Sequence, residues 1–339
     1  MTAEAKIPAS LEEETAIRRL DERTFAANLS PSFCIGAVPN GGYVASVFLR
    51  VAKEYLAHKN LTDTITAHWE FLNRTISGPA VLVVEEVKPG RSISVLHITL
   101  YQGNLLSQAP WISTGSQSGT PKSERVVAAY LTNRSIAAEN GISLPTGWSL
   151  QPKLPPPADF DKMLANKDPE WGALDLVIQR RVTAVQQLRF FYNRAAFAKS
   201  GTDSSFDLWM CTSNGEPLKA TSLGFVVDCT AAFIPELHRP RSKDDPPVAG
   251  GEFTRKTALW YPTLAMNLEV KKALPAEGER WLFVRTSAKQ IYNGRFDVEV
   301  IVFDRAGDLV ALSHHVAMVV NSEKNTAKRA PLAGITYKM

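Results

Sequence analysis

The sequence repeats one pattern along its length, a long apolar helix accompanied by several strand-like segments. Residues 43–56 carry apolar side chains at helical spacing over most of the circumference, and residues 218–237 contain a second mostly apolar helix. Segments rich in β-branched residues accompany each helix: 65–72, 80–87, 92–101 and 105–112 in the first half, and 181–192, 206–211, 259–270, 281–288, 295–303 and 309–320 in the second. This recurrence predicts an internal duplication.

The length of the chain agrees with a duplication. It has 339 residues, and single hydrophobic cores stop growing at roughly 250–300 residues. A long helix with several strands in each half predicts a layered α+β arrangement, in which a curved antiparallel sheet wraps around the helix.

The boundary between the units is predicted where periodicity is lost. Five prolines interrupt the segment that follows the first set of strands: Pro145, Pro152, Pro155, Pro156 and Pro157. We predict an N-terminal domain at 1–120, a linker at 121–170, a C-terminal domain at 171–325 and a tail at 326–339. The linker is long, so we expect part of it to pack against a domain.

Composition and charge exclude several classes of function. The hydrophobic fraction of 45% and the charged fraction of 21% are those of a globular protein. No apolar run approaches the roughly 20 residues needed to cross a bilayer, so no membrane partner is expected. The net charge is +4, but the basic residues are mixed with acidic ones, which argues against nucleic-acid binding. The mild positive charge favours an anionic ligand such as a coenzyme A ester.

Cofactor and metal signals are missing from the sequence. Cys34, Cys211 and Cys229 are odd in number and widely spaced, which suits neither a disulfide framework nor a zinc site. There is no Walker loop, no dinucleotide-binding glycine motif after a strand, no zinc-protease helix motif and no G-x-S-x-G nucleophile elbow. We therefore expect neither cofactor nor metal. Because the start lacks a signal-like segment, the cytoplasm is the expected location.

Five short stretches carry a resemblance to a known family. They are Pro39-Asn-Gly-Gly-Tyr-Val-Ala-Ser, Gly90-Arg-Ser-Ile-Ser-Val, Leu223-Gly-Phe-Val-Val-Asp, Trp260-Tyr-Pro-Thr-Leu and Gly307-Asp-Leu-Val-Ala-Leu-Ser-His-His. Together, and in this order over both halves, they resemble the thioesterase-like superfamily, which includes acyl-CoA thioesterases of the bacterial thioesterase II and peroxisomal types. The resemblance implies a double hotdog: two fused hotdog domains, each a curved antiparallel sheet around a long helix.

The resemblance also implies a catalytic trio. Its members are an Asp on the second-repeat helix, a Ser or Thr on the following strand and a Gln near the end of the last strand. These positions fall on Asp228, Thr263 and His315, so that His replaces Gln. A His at this position could supply a titrating base.

Each member of the trio also has a purely structural interpretation. Asp228 lies in an apolar segment, where an ionised carboxylate is costly unless partners compensate it, but Asp also caps helices. Thr263 could bond the same water as Asp228, and Thr is also a common strand residue. On the last strand, alternation places His315 on a face of small residues and His314 on the opposite face. The small face leaves room for a ligand, which favours His315.

Further residues are predicted to contact the substrate. Asn40, Gly41 and Gly42 precede the first helix, where backbone N–H groups and the helix dipole suit a thioester carbonyl or a phosphate. Two glycines also make an ordinary tight turn. We add Tyr43, at the start of this helix, and His68, which precedes Trp69 and Phe71 on a predicted strand and could line an acyl pocket.

Three functions remain open at this stage. The first is hydrolysis of an acyl-CoA or acyl-carrier thioester, with water oriented by Asp228, Thr263 and His315. The second is dehydration, isomerisation or cyclisation of a pathway intermediate with His315 as the base. The third is non-catalytic binding of an acyl ligand. A monomer or a homo-oligomer suits each of them.

Overall fold

The computed structural model describes residues 8–115, 121–155, 158–174, 182–195, 204–238 and 258–326. The helices are α1 (Leu11–Glu14), α2 (Gly41–Tyr55), α3 (Phe160–Leu164), α4 (Thr183–Gln186), α5 (Leu223–Asp228), α6 (Phe233–Leu237) and α7 (Glu323–Thr326), with 3₁₀ turns at Pro31–Phe33, Ala57–Lys59, Ile136–Ala138 and Ala220–Ser222.

The strands of the first half are β1 (Ile17–Arg19), β2 (Thr24–Leu29), β3 (Cys34–Ile35), β4 (Val38–Pro39), β5 (Asp63–Phe71), β6 (Gly78–Lys88), β7 (Ser94–Gln102) and β8 (Glu124–Arg134). The later strands are β9 (Trp171–Ala173), β10 (Leu188–Asn193), β11 (Ser205–Thr212), β12 (Leu259–Trp260), β13 (Thr263–Val270), β14 (Leu282–Ser287), β15 (Ile291–Tyr292), β16 (Arg295–Phe303), β17 (Leu309–Met318) and β18 (Val320–Asn321).

One large antiparallel sheet contains the duplication. In the first half its strands lie in the order β2-β6-β7-β8-β5, and in the second half in the order β11-β14-β16-β17-β13. Each order follows from the same succession along the chain, namely strand, helix and four strands. Strands β5 and β13 pair with each other and join the halves. The predicted double hotdog of α+β class is therefore confirmed.

The two central helices cross at glycines. The Asn40 side chain caps α2 by accepting from the Tyr43 N–H, and most of the helix is buried inside the first half of the sheet. A Cβ on Gly42 would overlap the carbonyl oxygen of Gly224 in α5, and a Cβ on Gly224 would lie 2.9 Å from the Gly42 oxygen. Glycine is needed at both positions because the two backbones touch.

The second central helix is shorter than the apolar segment 218–237 that was predicted to contain it. Residues Ala220–Ser222 form a 3₁₀ turn, α5 ends at Asp228, and α6 begins at Phe233. By length and composition, Ala220–Leu237 is the one stretch among the described residues that could cross a membrane, but 72% of it is buried inside the fold. Its apolar character is accounted for by the core.

Three predicted segments need correction. Strand β8 lies at 124–134, inside the predicted linker, so the first unit extends past residue 120; alternation was weakened there by alanines, which favour strands poorly. Residues 105–112 form only an isolated bridge between Leu105 and Ile112. The strand predicted from residue 181 begins at Leu188, because Thr183–Gln186 forms α4.

Part of the predicted linker packs against the second unit, as expected. Leu150 and Met163 belong to a second hydrophobic cluster on the outer face of the sheet, with aromatic residues of β9, β10, β11, β14 and β16. Arg285 of β14 donates to the carbonyl of Pro152 at 2.6 Å and forms a buried ion pair with Asp207. This segment therefore covers part of the outer face of the sheet in the second half of the protein.

Candidate active site

Asp228 lies at the end of α5, where it receives hydrogen bonds from both halves of the protein. Its side chain is buried, with the residue 7% exposed. Oδ2 accepts from the Asn40 amide at 2.9 Å and from the Gly42 backbone N–H at 2.8 Å. Oδ1 accepts from the Thr263 hydroxyl at 3.0 Å. Three donors compensate a carboxylate that would be costly to bury alone.

The same contacts determine the ionisation of Asp228. Burial by itself raises the pKa of this carboxyl, but His315, the Gly42 N–H and the Thr263 hydroxyl outweigh it, and the pKa lies below its ordinary value of 3.8. Hydrogen bonds to the charged form of a carboxyl favour its ionisation. Asp228 is therefore a carboxylate at neutral pH.

His315 lies behind Asp228 and is 0% exposed. Its Nδ1 is 3.6 Å from Asp228 Oδ1, and its Nε2 is 2.8 Å from the Ser313 hydroxyl. The Ser313 hydroxyl itself donates to the Asn267 carbonyl, so it accepts from the Nε2–H of His315. Nε2 therefore carries a proton, and Nδ1 is the ring atom directed at the carboxylate.

A cleft of about 280 Å³ opens in front of this group. Its walls are mainly apolar, and Asn40, Gly41, Asp228 and Thr263 lie together in the lining. The full lining is Ile35, Val38, Pro39, Asn40, Gly41, Phe71, Leu72, Asn73, Arg74, Thr75, Asp228, Trp260, Tyr261, Pro262, Thr263 and Leu264. An apolar cleft with a few convergent polar groups is the usual form of a small-molecule site.

The structure brings together most of the predicted site residues. Four of them line the cleft: Asp228, Thr263, Asn40 and Gly41. Gly42 does not line it but donates its backbone N–H to Asp228. His315 is next to Asp228 but does not line the cleft. Their catalytic roles remain predictions.

Two predicted substrate contacts are corrected. Tyr43 is fully buried, its ring stacks on Phe33, and its hydroxyl donates to the Glu14 carbonyl at 2.6 Å. Burial raises the pKa of Tyr43. His68 lies on the outer face of the sheet, 2.7 Å from the Asn267 side chain, because strand alternation places it opposite the buried Trp69.

Arg74, Trp260 and Tyr261 line the cleft but were not predicted as site residues. Trp260 and Tyr261 immediately precede Thr263 in a stretch that carries the family resemblance, so their position offered a signal. Arg74 offered none, because it follows the end of β5 in an irregular segment. Among the described residues, no cluster of three or more His, Cys, Asp or Glu side chains could hold a metal ion.

The first half contains a position equivalent to Asp228, but the residue there carries no carboxylate. Gly42-Tyr43-Val44-Ala45-Ser46 aligns with Gly224-Phe225-Val226-Val227-Asp228, which places Ser46 opposite Asp228. The pairing of β5 with β8 shifts register just after Thr64, and the pairing of β13 with β17 shifts just after Thr263, so these two threonines occupy equivalent positions. Counted from these shifts, Leu131 in β8 is equivalent to His315 in β17. Ser46 Oγ accepts from the Phe225 N–H at 3.0 Å, a helix-to-helix contact like that of Asp228 with Gly42, although its donor lies one residue further along the helix.

Known proteins are similar to this chain in sequence and in fold. The model of the acyl-CoA thioesterase N-terminal domain matches residues 29–120, and that of the C-terminal domain matches residues 155–319. The thioesterase-like protein TwmA of Talaromyces wortmannii is 40% identical over 340 residues, which cover 95% of each chain. This chain belongs to the acyl-CoA thioesterase family. It is a thioesterase-like hydrolase.

Solved structures of low sequence identity show the same double-hotdog fold. A protein of unknown function with a hot dog fold from Alicyclobacillus acidocaldarius has a TM-score of 0.66 at 18% identity, covering 92% of this chain and 98% of its own. The acyl-CoA thioesterase II of Mycobacterium marinum has a TM-score of 0.59 at 18% identity, with coverage of 92% and 98%.

Proposed function

We propose that this thioesterase hydrolyses an acyl thioester of coenzyme A or of an acyl carrier in the cleft in front of Asp228. The observation that carries the proposal is the Asp228 carboxylate, which donors from both halves hold in the lining of a mainly apolar cleft. The apolar walls suit the acyl chain, and the polar groups around Asp228 suit the thioester group.

Water attack on the thioester carbon is the reaction that this arrangement supports. Because its pKa is lowered, Asp228 is ionised and can orient the water, and it accepts the proton as the new C–O bond forms. The Thr263 hydroxyl holds the other carboxylate oxygen, Oδ1, by a hydrogen bond. When the C–S bond breaks, the sulfur takes up the proton, and the products are a carboxylic acid and a thiol.

The start of α2 supplies the stabilising dipole for the carbonyl oxygen. Gly41 lines the cleft in the first turn of α2, and its N–H has no hydrogen-bond partner among the described residues. The next two N–H groups are already bound to Asp228 and to the Asn40 side chain. Gly41 N–H is therefore the donor that we assign to the negative charge that develops on this oxygen.

Thiol release from acyl-CoAs of graded chain length tests the proposal. The Asp228→Asn variant keeps the shape of the side chain but not its charge, and we expect a rate about 10²–10⁴-fold lower. Asp304→Asn is the matched control. Asp304 is also a buried aspartate, but it bonds Lys272 and does not line the cleft. The proposal is wrong if wild-type protein releases thiol from no ester faster than Asp228→Asn does.

A second function keeps the same cleft but uses His315 as the base for dehydration, isomerisation or cyclisation. The observation that favours it is the approach of His315 Nδ1 to within 3.6 Å of Asp228. His315 itself does not line the cleft, so its proton would have to pass through Asp228. Turnover of a substrate without a thioester, lost in His315→Gln while thiol release persists, would establish this alternative.

A further inference from the structure

Two of the walls of the cleft come from distant parts of the chain. One wall is the hairpin β3–β4, which contributes Ile35, Val38 and Pro39 and leads directly into Asn40. The other wall is β12 with the following turn, which contributes Trp260 and Tyr261. Residues 320–325, named here the clasp, contact both walls.

On one side the clasp forms a small sheet. Strand β18 pairs antiparallel with β12, so that Asn321 lies opposite Leu259 and Val320 opposite Trp260. The Ser322 N–H extends this ladder by donating to the Ala258 carbonyl at 2.9 Å. Backbone hydrogen bonds therefore fix the Trp260 wall to the clasp.

On the other side Asn325 holds the hairpin. Asn325 is 4% exposed, its Nδ2 donates to the Ile35 carbonyl at 2.7 Å, and its Oδ1 accepts from the Ala37 N–H at 3.3 Å. Gly36, between these two residues, has a φ of 64°, and a Cβ there would lie 3.0 Å from the Asn325 amide. Only glycine combines this backbone conformation with so close an approach.

The backbone of Asn325 contacts the cleft lining as well. Its carbonyl accepts a hydrogen bond from the Arg74 guanidinium, and Arg74 lines the cleft. Asn325 itself is not part of the lining, so it acts on bound substrate only through Arg74 and the hairpin.

We infer that Asn325 is a positioning residue that sets the separation of the two cleft walls and thereby the affinity for the acyl group. The inference rests on the proposed thioester hydrolysis in this cleft. Asn40 is held independently, by the bond from its N–H to the Phe33 carbonyl at 2.8 Å and by its bond to Asp228. Loss of the Asn325 side chain therefore weakens substrate binding more than it slows the chemical step.

The Asn325→Ala variant tests this separation of effects. We expect KM for acyl-CoAs to rise about tenfold and kcat to change less than about threefold, because two hydrogen bonds to the hairpin are lost. Asn214→Ala is the matched control: Asn214 also bonds two backbone groups, Ala9 O and Glu216 N, but it does not line the cleft. Equal KM values in both variants would overturn the inference.

Amide hydrogen exchange provides a readout that does not require activity. In Asn325→Ala the Ala37 N–H loses its acceptor, so its exchange should accelerate, whereas exchange there in Asn214→Ala should match wild type. If wild type releases no thiol from any ester, hydrolysis is wrong, and this measurement still decides whether the clasp holds the hairpin. Unchanged exchange at Ala37 would show that it does not.

A double-mutant cycle with Gly36→Ala isolates the contact. Gly36→Ala alone should raise KM, because its methyl group presses on the Asn325 amide and its φ becomes unfavourable. In the double variant the pressure is relieved, so KM should be lower than the product of the two single effects. Strictly multiplicative effects would contradict a direct coupling between Gly36 and Asn325.

Discussion

At the scale of residues, the site depends on how Asp228 keeps its charge inside the protein. Asn40 and Gly42 belong to the first half of the chain, whereas Thr263 and His315 belong to the second. Neither half alone compensates the carboxylate. Asp228 is therefore stabilised as a carboxylate only when the two halves are packed together.

The first prediction concerns His315. Burial raises the pKa of Asp228, and His315 is the first of the groups that lower it. In His315→Leu, which copies the matching Leu131, the pKa of Asp228 should rise, and the acid limb of the kcat/KM profile should move to higher pH. His314→Leu, on the exposed face of the same strand, should leave the limb unchanged. A limb that stays in place in His315→Leu would contradict the assigned interaction.

The second prediction concerns stability in acid. The folded-state pKa of Asp228 lies below 3.8, so its ionisation stabilises the fold fully above about pH 4 and this contribution is lost as the pH falls through the folded pKa. The free energy of unfolding of wild type should therefore fall more steeply below pH 4 than that of Asp228→Asn. Denaturant unfolding of both proteins from pH 7 to pH 3 measures this difference, and parallel curves would refute it.

At the scale of elements, the crossing of α2 and α5 positions Asp228 beside the start of α2. The third prediction uses two adjacent glycines. A methyl group on Gly42 would overlap the Gly224 oxygen and lie 2.5 Å from Asp228 Cβ, whereas one on Gly41 would come no closer than 3.2 Å to Phe71. Gly42→Ala should lower the free energy of unfolding by about 1–3 kcal/mol and reduce thiol release.

Gly41→Ala is the matched control for this test. Its added methyl group meets only side-chain atoms of Phe71 and Asp228, at tight distances of 3.2–3.3 Å that small side-chain shifts can relieve, so stability should stay within about 1 kcal/mol of wild type. Thermal unfolding of both variants makes the comparison. Equal losses in the two proteins would mean that the helix crossing does not depend on Gly42.

The elements differ in how far the sequence predicts them. Strand β16 was predicted with the bounds that it has, because its alternation is strong. Strand β8 was missed, because Ala128 and Ala129 weaken its pattern and its long-range pairing with β5 cannot be seen locally. The contact of Asn40 with Asp228 joins residues 188 positions apart. Resemblance to a family indicated both residues, but only the fold shows that they touch.

At the scale of the whole molecule, the halves share one sheet and one helix crossing. Strands β5 and β13 pair over Thr66 to Glu70 and Ala265 to Glu269, and the largest hydrophobic cluster includes residues of both halves. The fourth prediction is therefore a single calorimetric unfolding transition for the full chain. In Gly42→Ala the whole transition should shift to lower temperature. Two transitions, of which only one moves, would show that the halves unfold separately.

The matching of Ser46 with Asp228 has a consequence for how such a chain can change. Two identical single-domain partners would carry the same residue at both positions, so any substitution would alter both sites together. In a single chain this constraint is absent: Ser46 bonds the neighbouring helix, while Asp228 carries the carboxylate. Each half can therefore change at this position without changing the other.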